Sequence, residues 1–320
     1  MSDSPLIQIG STRPATDGLS WQERLARLET HLATFGSVVV AYSGGVDSSL
    51  VLRVAHHVLG ERARGVIGRS DSYASRELEL ALAQAAAFGA GVEVVSTGEL
   101  ADPNFRSNPT DRCYHCKTEL YRELTLVAER IGAAAILDGT ILDDIADWRP
   151  GRRAAEEQHV RSPLAELGFT KDDVRAAAAH FGLASFDKPA SPCLASRIPY
   201  GTEITRENLS QVERGEELLR SLGFGINRVR HFGESCRLEV PLADLPRLME
   251  PAVRERATEG LKAIGYRFVT VDLEGFRSGN LNRLIGVATS DAANGAASSA
   301  LVPGQIVTLA GAPTQNPSRD

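Results

Sequence analysis

Three stretches of this chain hold side chains whose types and spacing suit chemistry. The first reads Ser43-Gly44-Gly45-Val46-Asp47-Ser48. Paired glycines let the backbone turn sharply and aim N–H groups at an anion, and the positive end of a following helix adds to the attraction. A phosphate fits such a loop. It lacks the lysine of a Walker A sequence, so it is poorly suited to pulling on a γ-phosphate, whereas the hydroxyls of Ser43 and Ser48 suit pyrophosphate. Asp47 can cap the helix or hold Mg²⁺. The second stretch, Asp138-Gly139-Thr140 with Asp143 and Asp144 close behind, pairs a glycine that permits close approach with acids able to bind Mg²⁺ or orient a ribose. A plain turn would read the same way.

The third is a set of cysteines. Asn108-Pro109-Thr110-Asp111-Arg112-Cys113-Tyr114-His115-Cys116-Lys117 is answered far downstream by Ser191-Pro192-Cys193-Leu194-Ala195-Ser196-Arg197-Ile198-Pro199-Tyr200-Gly201, and both read as loops. Four cysteines are too few for a disulfide scaffold in a chain of 320 residues, so a close pair points to chemistry or metal. A lone Cys-x-x-Cys is commonly structural zinc or a redox pair. Zinc needs two further ligands, which Cys193 and His115 can supply, and a thioredoxin-type motif should open a helix in a different βαβ context. A nucleophilic thiolate at Cys193 is a further option, with Arg197, Lys188 or a helix end lowering its pKa. Cys236 follows a turn and reads as a small hydrophobe.

These loops need a scaffold, and the hydrophobic pattern supplies one. A helix is predicted from Trp21 to about Thr34, then the apolar strand Val38-Val39-Val40-Ala41-Tyr42. Helices near 48–58 and 75–88 alternate with strands near 64–67 and 92–95, and a helix over 119–131 leads into a strand ending at Leu137. This βαβα order predicts an α/β fold with a doubly wound parallel sheet, whose ligands sit at the carboxyl ends of the strands. A helix over 170–181 follows. The segment 191–204 reads as a cysteine-bearing linker between a first domain, 20–190, and a smaller α+β domain, 205–287. Residues 1–19 read as a flexible arm and 288–320 as a disordered tail with a short strand at 306–309. In the second domain Arg228 and Arg230 alternate on a strand and Glu239 lies on the next. They can bind a substrate phosphate or form a solvated face with surface ion pairs.

A net charge of −6 argues against a protein held mainly by contact with nucleic acid phosphates. No apolar run reaches the roughly 20 residues of a membrane span, and the start lacks the features of a secretory signal, so a cytoplasmic protein is expected.

The phosphate loop resembles that of the PP-loop ATP pyrophosphatases, which implies cleavage of ATP to AMP and pyrophosphate. Together with the cysteine loops, and above all Pro192-Cys193-Leu194-Ala195-Ser196-Arg197, it resembles the LarE family over about residues 20–283. These are ATP-dependent sulfur transferases that help make the nickel-pincer nucleotide of lactate racemase. The resemblance implies that a carboxylate on a pyridinium dicarboxylate mononucleotide is adenylated and that sulfur then displaces AMP. It implies nucleotide contacts at Ser43, Gly44, Gly45, Asp47, Ser48, Ser70 and Gly139, Mg²⁺ near Asp144, and substrate contacts at Arg197, Arg228, Arg230, Glu239 and Arg277. One branch of the family sacrifices the cysteine matching Cys193. Three cysteines resemble the other branch, where Cys113, Cys116 and Cys193 would hold a [4Fe-4S] cluster whose open iron carries exogenous sulfide. A homo-oligomer taking sulfide or another sulfur donor, without nucleic acid or membrane, is expected. The competing expectations are a tRNA thiolation enzyme, an amidating synthetase and a nucleotide sensor with a zinc-stabilised loop.

Overall fold

The computed structural model describes residues 17–145 and 150–277. The arm before residue 17 and the tail, with its expected strand at 306–309, lie outside the described residues. A helix α1, Trp21–Ala33, opens on a Ser20/Glu23 capping box. Four strands follow, β1 (Val38–Ala41), β2 (Ala63–Arg69), β3 (Val92–Ser96) and β4 (Ala135–Leu137), separated by α2 (Val46–Leu59), α3 (Ser75–Ala87) and α4 (Arg112–Ile131). They form one parallel sheet in the order β3-β2-β1-β4.

Its central strand shows why the run of valines is continuous. Val38 and Val40 enter a core with α1, α2 and α3, while Val39 enters a second core with α4 on the opposite face. Both faces are therefore dry, as a parallel sheet requires. After β1 the chain winds outward to β2 and β3, then returns to β4 on the other side of β1. The loops after β1 and β4 thus flank the switch point, where α/β sheets bind ligands.

A helix α5, Lys171–His180, packs onto α1 and α2 after a Thr170/Asp173 capping box. The later elements are α6 (Arg206–Ser221), β5 (Arg228–Phe232), β6 (Ser235–Glu239), α7 (Pro251–Ile264) and β7 (Phe268–Val271). The second sheet has the order β5-β6-β7, antiparallel then parallel, over a separate core of Leu219, Val229, Leu238, Leu261 and Tyr266. Cys236 lies fully buried there, and burial pushes its thiol up to about 12, in keeping with a packing role.

The stretch expected as a cysteine-bearing linker is packed into the molecule. Leu194, Ala195, Ile198 and Ile204 are buried with Phe105 and with Leu209 and Val212 of α6. One correction concerns the first cysteine loop. Cys113 and Cys116 lie in the first turns of α4, which begins at Arg112 rather than near 119. The Pro109–Asp111 turn delays the apolar repeat, so the helix start carries no hydrophobic signal.

Candidate functional site

The phosphate loop is a closed ring of short hydrogen bonds. Ser43 N–H donates to Ser48 Oγ at 3.1 Å, the two hydroxyls meet at 3.1 Å, and Ser48 Oγ donates to the Gly45 carbonyl at 3.2 Å. Gly44 has φ +68°, and a Cβ there would lie 2.5 Å from Ala81 Cβ of α3. Gly45 is the N-cap of α2 and offers no side chain, which leaves the first N–H groups of that helix open to an anion. Gly139, after β4, packs against the same turn: a Cβ would lie 2.6 Å from Ser48 N. The two signature stretches therefore meet at the switch point.

Of the two roles open to Asp47, capping is not the one taken. Its carboxylate receives Lys171 Nζ at 2.7 and 2.8 Å, and the Lys171 backbone N–H donates to Asp143 at 2.7 Å. The loop thus has a lysine after all, brought by α5 from 124 residues away. No local motif announces Lys171; the Thr170/Asp173 capping box around it signals only a helix start. Asp138 is consumed structurally. It is 3% exposed and accepts from Thr140 N and Oγ1, Ser162 Oγ and Tyr121 Oη at 2.8–3.1 Å. Asp144 accepts from Ile141 N–H at 3.2 Å.

Ser70 follows β2, and Ser72 N–H donates to its hydroxyl at 3.2 Å. The Ser72 carbonyl accepts Leu194 N–H at 2.8 Å, which docks the Cys193 loop beside the nucleotide segment. Ser72 Oγ donates to Glu99 at 2.8 Å, and Glu99 is buried beside Cys116. On the other side Asn108 acts as a clamp. Fully buried at φ +55°, it donates through Nδ2 to the carbonyls of Pro199 (2.8 Å) and Thr202 (3.0 Å) and accepts Arg112 Nη1 at 2.8 Å. It thereby ties the start of α4 to the loop after Cys193. The structure brings the three cysteines together: burial first, then the charges of Glu99, Cys193 and Cys113, hold the Cys116 thiol well above its ordinary range. Cys113 is exposed, while Cys116 and Cys193 are half-buried. Among the described residues, no three His, Cys, Asp or Glu side chains converge closely enough to hold a single metal ion.

Cys193 also lines a cavity of about 460 Å³ between α3, the 188–193 segment and the end of α6. Tyr73, on its wall, donates its hydroxyl to the Ser43 carbonyl at 2.9 Å, so the cavity adjoins the phosphate loop. Arg197 contributes to the wall but is 2% exposed and committed. Its Nε and Nη2 donate to Glu216 at 2.8 and 3.1 Å, and its Nη1 donates to the carbonyls of Pro192 (2.6 Å) and Cys193 (3.0 Å). Arg197 fixes the cysteine loop. Arg230 does likewise, donating to the Ser196 carbonyl at 2.9 Å and pairing with the fully buried Glu239 at 2.8 Å. This strand face is internal, so the solvated-face reading of Arg228 and Arg230 is corrected. Arg228 differs from both. Among the described residues it donates only to carbonyls, of Asn227 (2.7 Å) and Ala190 (3.2 Å), and it lies over the Phe276 ring. Burial, then neighbouring Arg197, lowers its pKa to about 10. Arg277 pairs with Glu274 at 3.1 Å, half-exposed, and does not line the cavity.

The fold, with thiols one segment away from its phosphate loop, places the chain among the ATP-using sulfur transferases of the PP-loop superfamily. No family model matches the chain. It is 40% identical over 258 residues, 80% of its length, to pyridinium-3,5-bisthiocarboxylic acid mononucleotide synthase of Lactiplantibacillus plantarum, 93% of which is covered. It is 42% identical over 264 residues to an uncharacterized protein of Synechocystis sp., covering 82% of this chain and 98% of the relative. A tRNA-specific 2-thiouridylase of Xanthobacter autotrophicus is 30% identical over 56% of each chain. The chain belongs to the family of the bisthiocarboxylic acid mononucleotide synthase, the LarE family that its motifs resemble.

Proposed function

We propose that this enzyme converts the carboxylates of a pyridinium dicarboxylate mononucleotide to thiocarboxylates in making a nickel-pincer nucleotide. The observation that carries the reading is the single cavity holding Cys193 and Arg228, adjoining the phosphate loop through Tyr73. A substrate carboxylate at the Tyr73 end attacks the α-phosphorus of ATP, and pyrophosphate leaves into the loop of Ser43, Gly44, Gly45 and Ser48. Asp47 and Asp144 would hold Mg²⁺ on the phosphates, with Ser70 and Gly139 against the nucleotide. Lys171, paired with Asp47, brings an ammonium group to the loop, where it can meet the pyrophosphate. A sulfur nucleophile then attacks the acyl carbon and AMP departs with the electron pair of the broken C–O bond.

Cys113, Cys116 and Cys193 would hold a [4Fe-4S] cluster, which supplies an open iron for bound sulfide. The residues fit. The charges of Cys193 and Cys113 reach Cys116, and three thiolates without a fourth are a donor set suited to a cluster that leaves one iron open. Their mutual repulsion as thiolates is relieved by bound iron. Soluble sulfide or another donor serves as sulfur source, and a homo-oligomer acting without nucleic acid or membrane fits this role. Among the described residues no helix is long and apolar enough to cross a membrane. The thiolation of tRNA is the weaker reading, since that relative matches little more than half of the chain.

Cys193→Ala separates the two half-reactions. It should retain substrate-dependent pyrophosphate release and lose thiocarboxylate formation. Thiocarboxylate made at the wild-type rate would remove Cys193 from the sulfur step, and mass spectrometry of the wild-type chain after turnover should find Cys193 intact rather than converted to dehydroalanine.

A further inference from the structure

The cavity beside Cys193 is lined by five basic residues, Arg76, Lys188, Arg197, Arg220 and Arg228. Three are already answered. Lys188 meets Glu77 at 2.6 Å, Arg197 meets Glu216 at 2.8 Å, and Arg220 meets Glu217 at 2.9 Å. Among the described residues Arg228 donates only to carbonyls, and Arg76, in the first turn of α3, has no carboxylate partner. The cavity therefore keeps, on different walls, two guanidinium groups that no carboxylate bonds among the described residues. Arg228 stands on the β5 side, desolvated, with Arg197 and Arg230 near it and Glu216 and Glu239, already paired elsewhere, also within reach. Arg76 stands exposed on the α3 side next to Tyr73.

A dicarboxylate mononucleotide brings three anionic groups, and the reacting carboxylate must face the α-phosphorus of ATP. Two anions remain for two spare cations. The phosphate, with the larger charge, belongs with the desolvated guanidinium that no carboxylate bonds, because the gain there is largest. We propose that Arg76 is a specificity-determining residue that recognises the second, non-reacting carboxylate of the substrate while Arg228 holds the phosphate. The inference rests on the substrate class argued above and deepens it. It also bears on a synthase of a bis-thiocarboxylate: a cation at the cavity mouth accepts either a carboxylate or a thiocarboxylate, so the half-converted product can turn over and present its second carboxylate to ATP. One exposed guanidinium discriminates charge and reach, not oxygen from sulfur.

Equilibrium binding to the full chain, measured by calorimetry without ATP, tests this with two probes. One is pyridinium-3,5-dicarboxylate mononucleotide and the other its 3-carboxylate analogue, which lacks the second carboxylate. Arg76→Ala should weaken the dicarboxylate about tenfold and the monocarboxylate by less than about twofold, and Arg76→Lys should recover part of the difference. Arg228→Gln should weaken both probes alike. Equal weakening of both probes by Arg76→Ala, or weakening of neither, overturns the role of Arg76 while leaving the substrate class standing. Wild-type protein that binds neither probe overturns the substrate class itself, and the role of Arg76 with it.

Discussion

Around Gly44 and Gly45 the anion site is made of backbone, with N–H groups fixed by a turn, a helix end and two hydroxyls that hold each other. Around Cys193, some 150 residues later in the chain, recognition is made of guanidinium groups and carboxylates carried by α3, the linker, α6 and β5. The first site has no room for an added atom at Gly44 or at Gly139 behind it, and its anion contacts come from backbone and the two hydroxyls apart from the Asp47–Lys171 pair. The second has room, and its order depends on charges that cancel in pairs. Steric lesions should therefore fall hardest on the first and charge lesions on the second.

The largest effect is expected from Gly139→Ala. Its Cβ would lie 2.6 Å from Ser48 N and 2.9 Å from Ser48 Cα, backbone atoms that no rotamer change can move aside. Displacing the loop should lower pyrophosphate release by about a hundredfold or more while mononucleotide binding persists. Release at the wild-type rate would break the contrast at its steric end.

A charge lesion comes next. Arg197→Ala leaves buried Glu216 with only the 3.9 Å approach of Arg220 and the Val229 N–H, and should cost about 3 kcal/mol in urea unfolding. Pairing it with Glu216→Leu should recover most of that loss, since the doubly apolar site has no orphaned charge. A loss below about 1 kcal/mol would show that the pair does not order the loop.

The smallest effect concerns pH. His231 in β5 is buried against Tyr266, and burial lowers its pKa below the ordinary 6.5. The fold favours neutral imidazole, so the unfolded chain takes up a proton first as pH falls. Stability contributed by this residue is present above about pH 6.5 and is lost as the pH drops through the lowered folded value. His231→Gln should flatten that part of the acid slope of the thermal midpoint. The phosphate loop should not sense the change, and an altered slope for pyrophosphate release would blur the separation of the two sites.

The same contrast explains what the sequence could reveal. Val38–Ala41, Gly44, Gly45 and Gly139 are local signals, because an apolar run and a turn carry their physics within a few residues. The parallel sheet and the small α+β second domain were legible for that reason. Lys171, Asn108 and Arg76 were not, because each gains its meaning from a partner about 90 residues away or more, or from lacking one. Arg197 and Arg230 were read as substrate contacts from their motif. Their donors instead go to Glu216, Glu239 and the carbonyls of the cysteine loop, and only burial reveals that. The helical start at Arg112 was missed because Pro109 and Asp111 look like loop, while the Asn108 clamp that stabilises the turn draws on residues 198–202.

The central claim is that one cavity couples ATP cleavage to sulfur insertion. The most direct test supplies anaerobically purified protein with ATP, Mg²⁺, sulfide and pyridinium-3,5-dicarboxylate mononucleotide, and follows pyrophosphate alongside the mass of the product. The account predicts one pyrophosphate for each oxygen replaced by sulfur, with Cys193 unchanged over repeated turnovers. Pyrophosphate released without any sulfur entering the mononucleotide would contradict it.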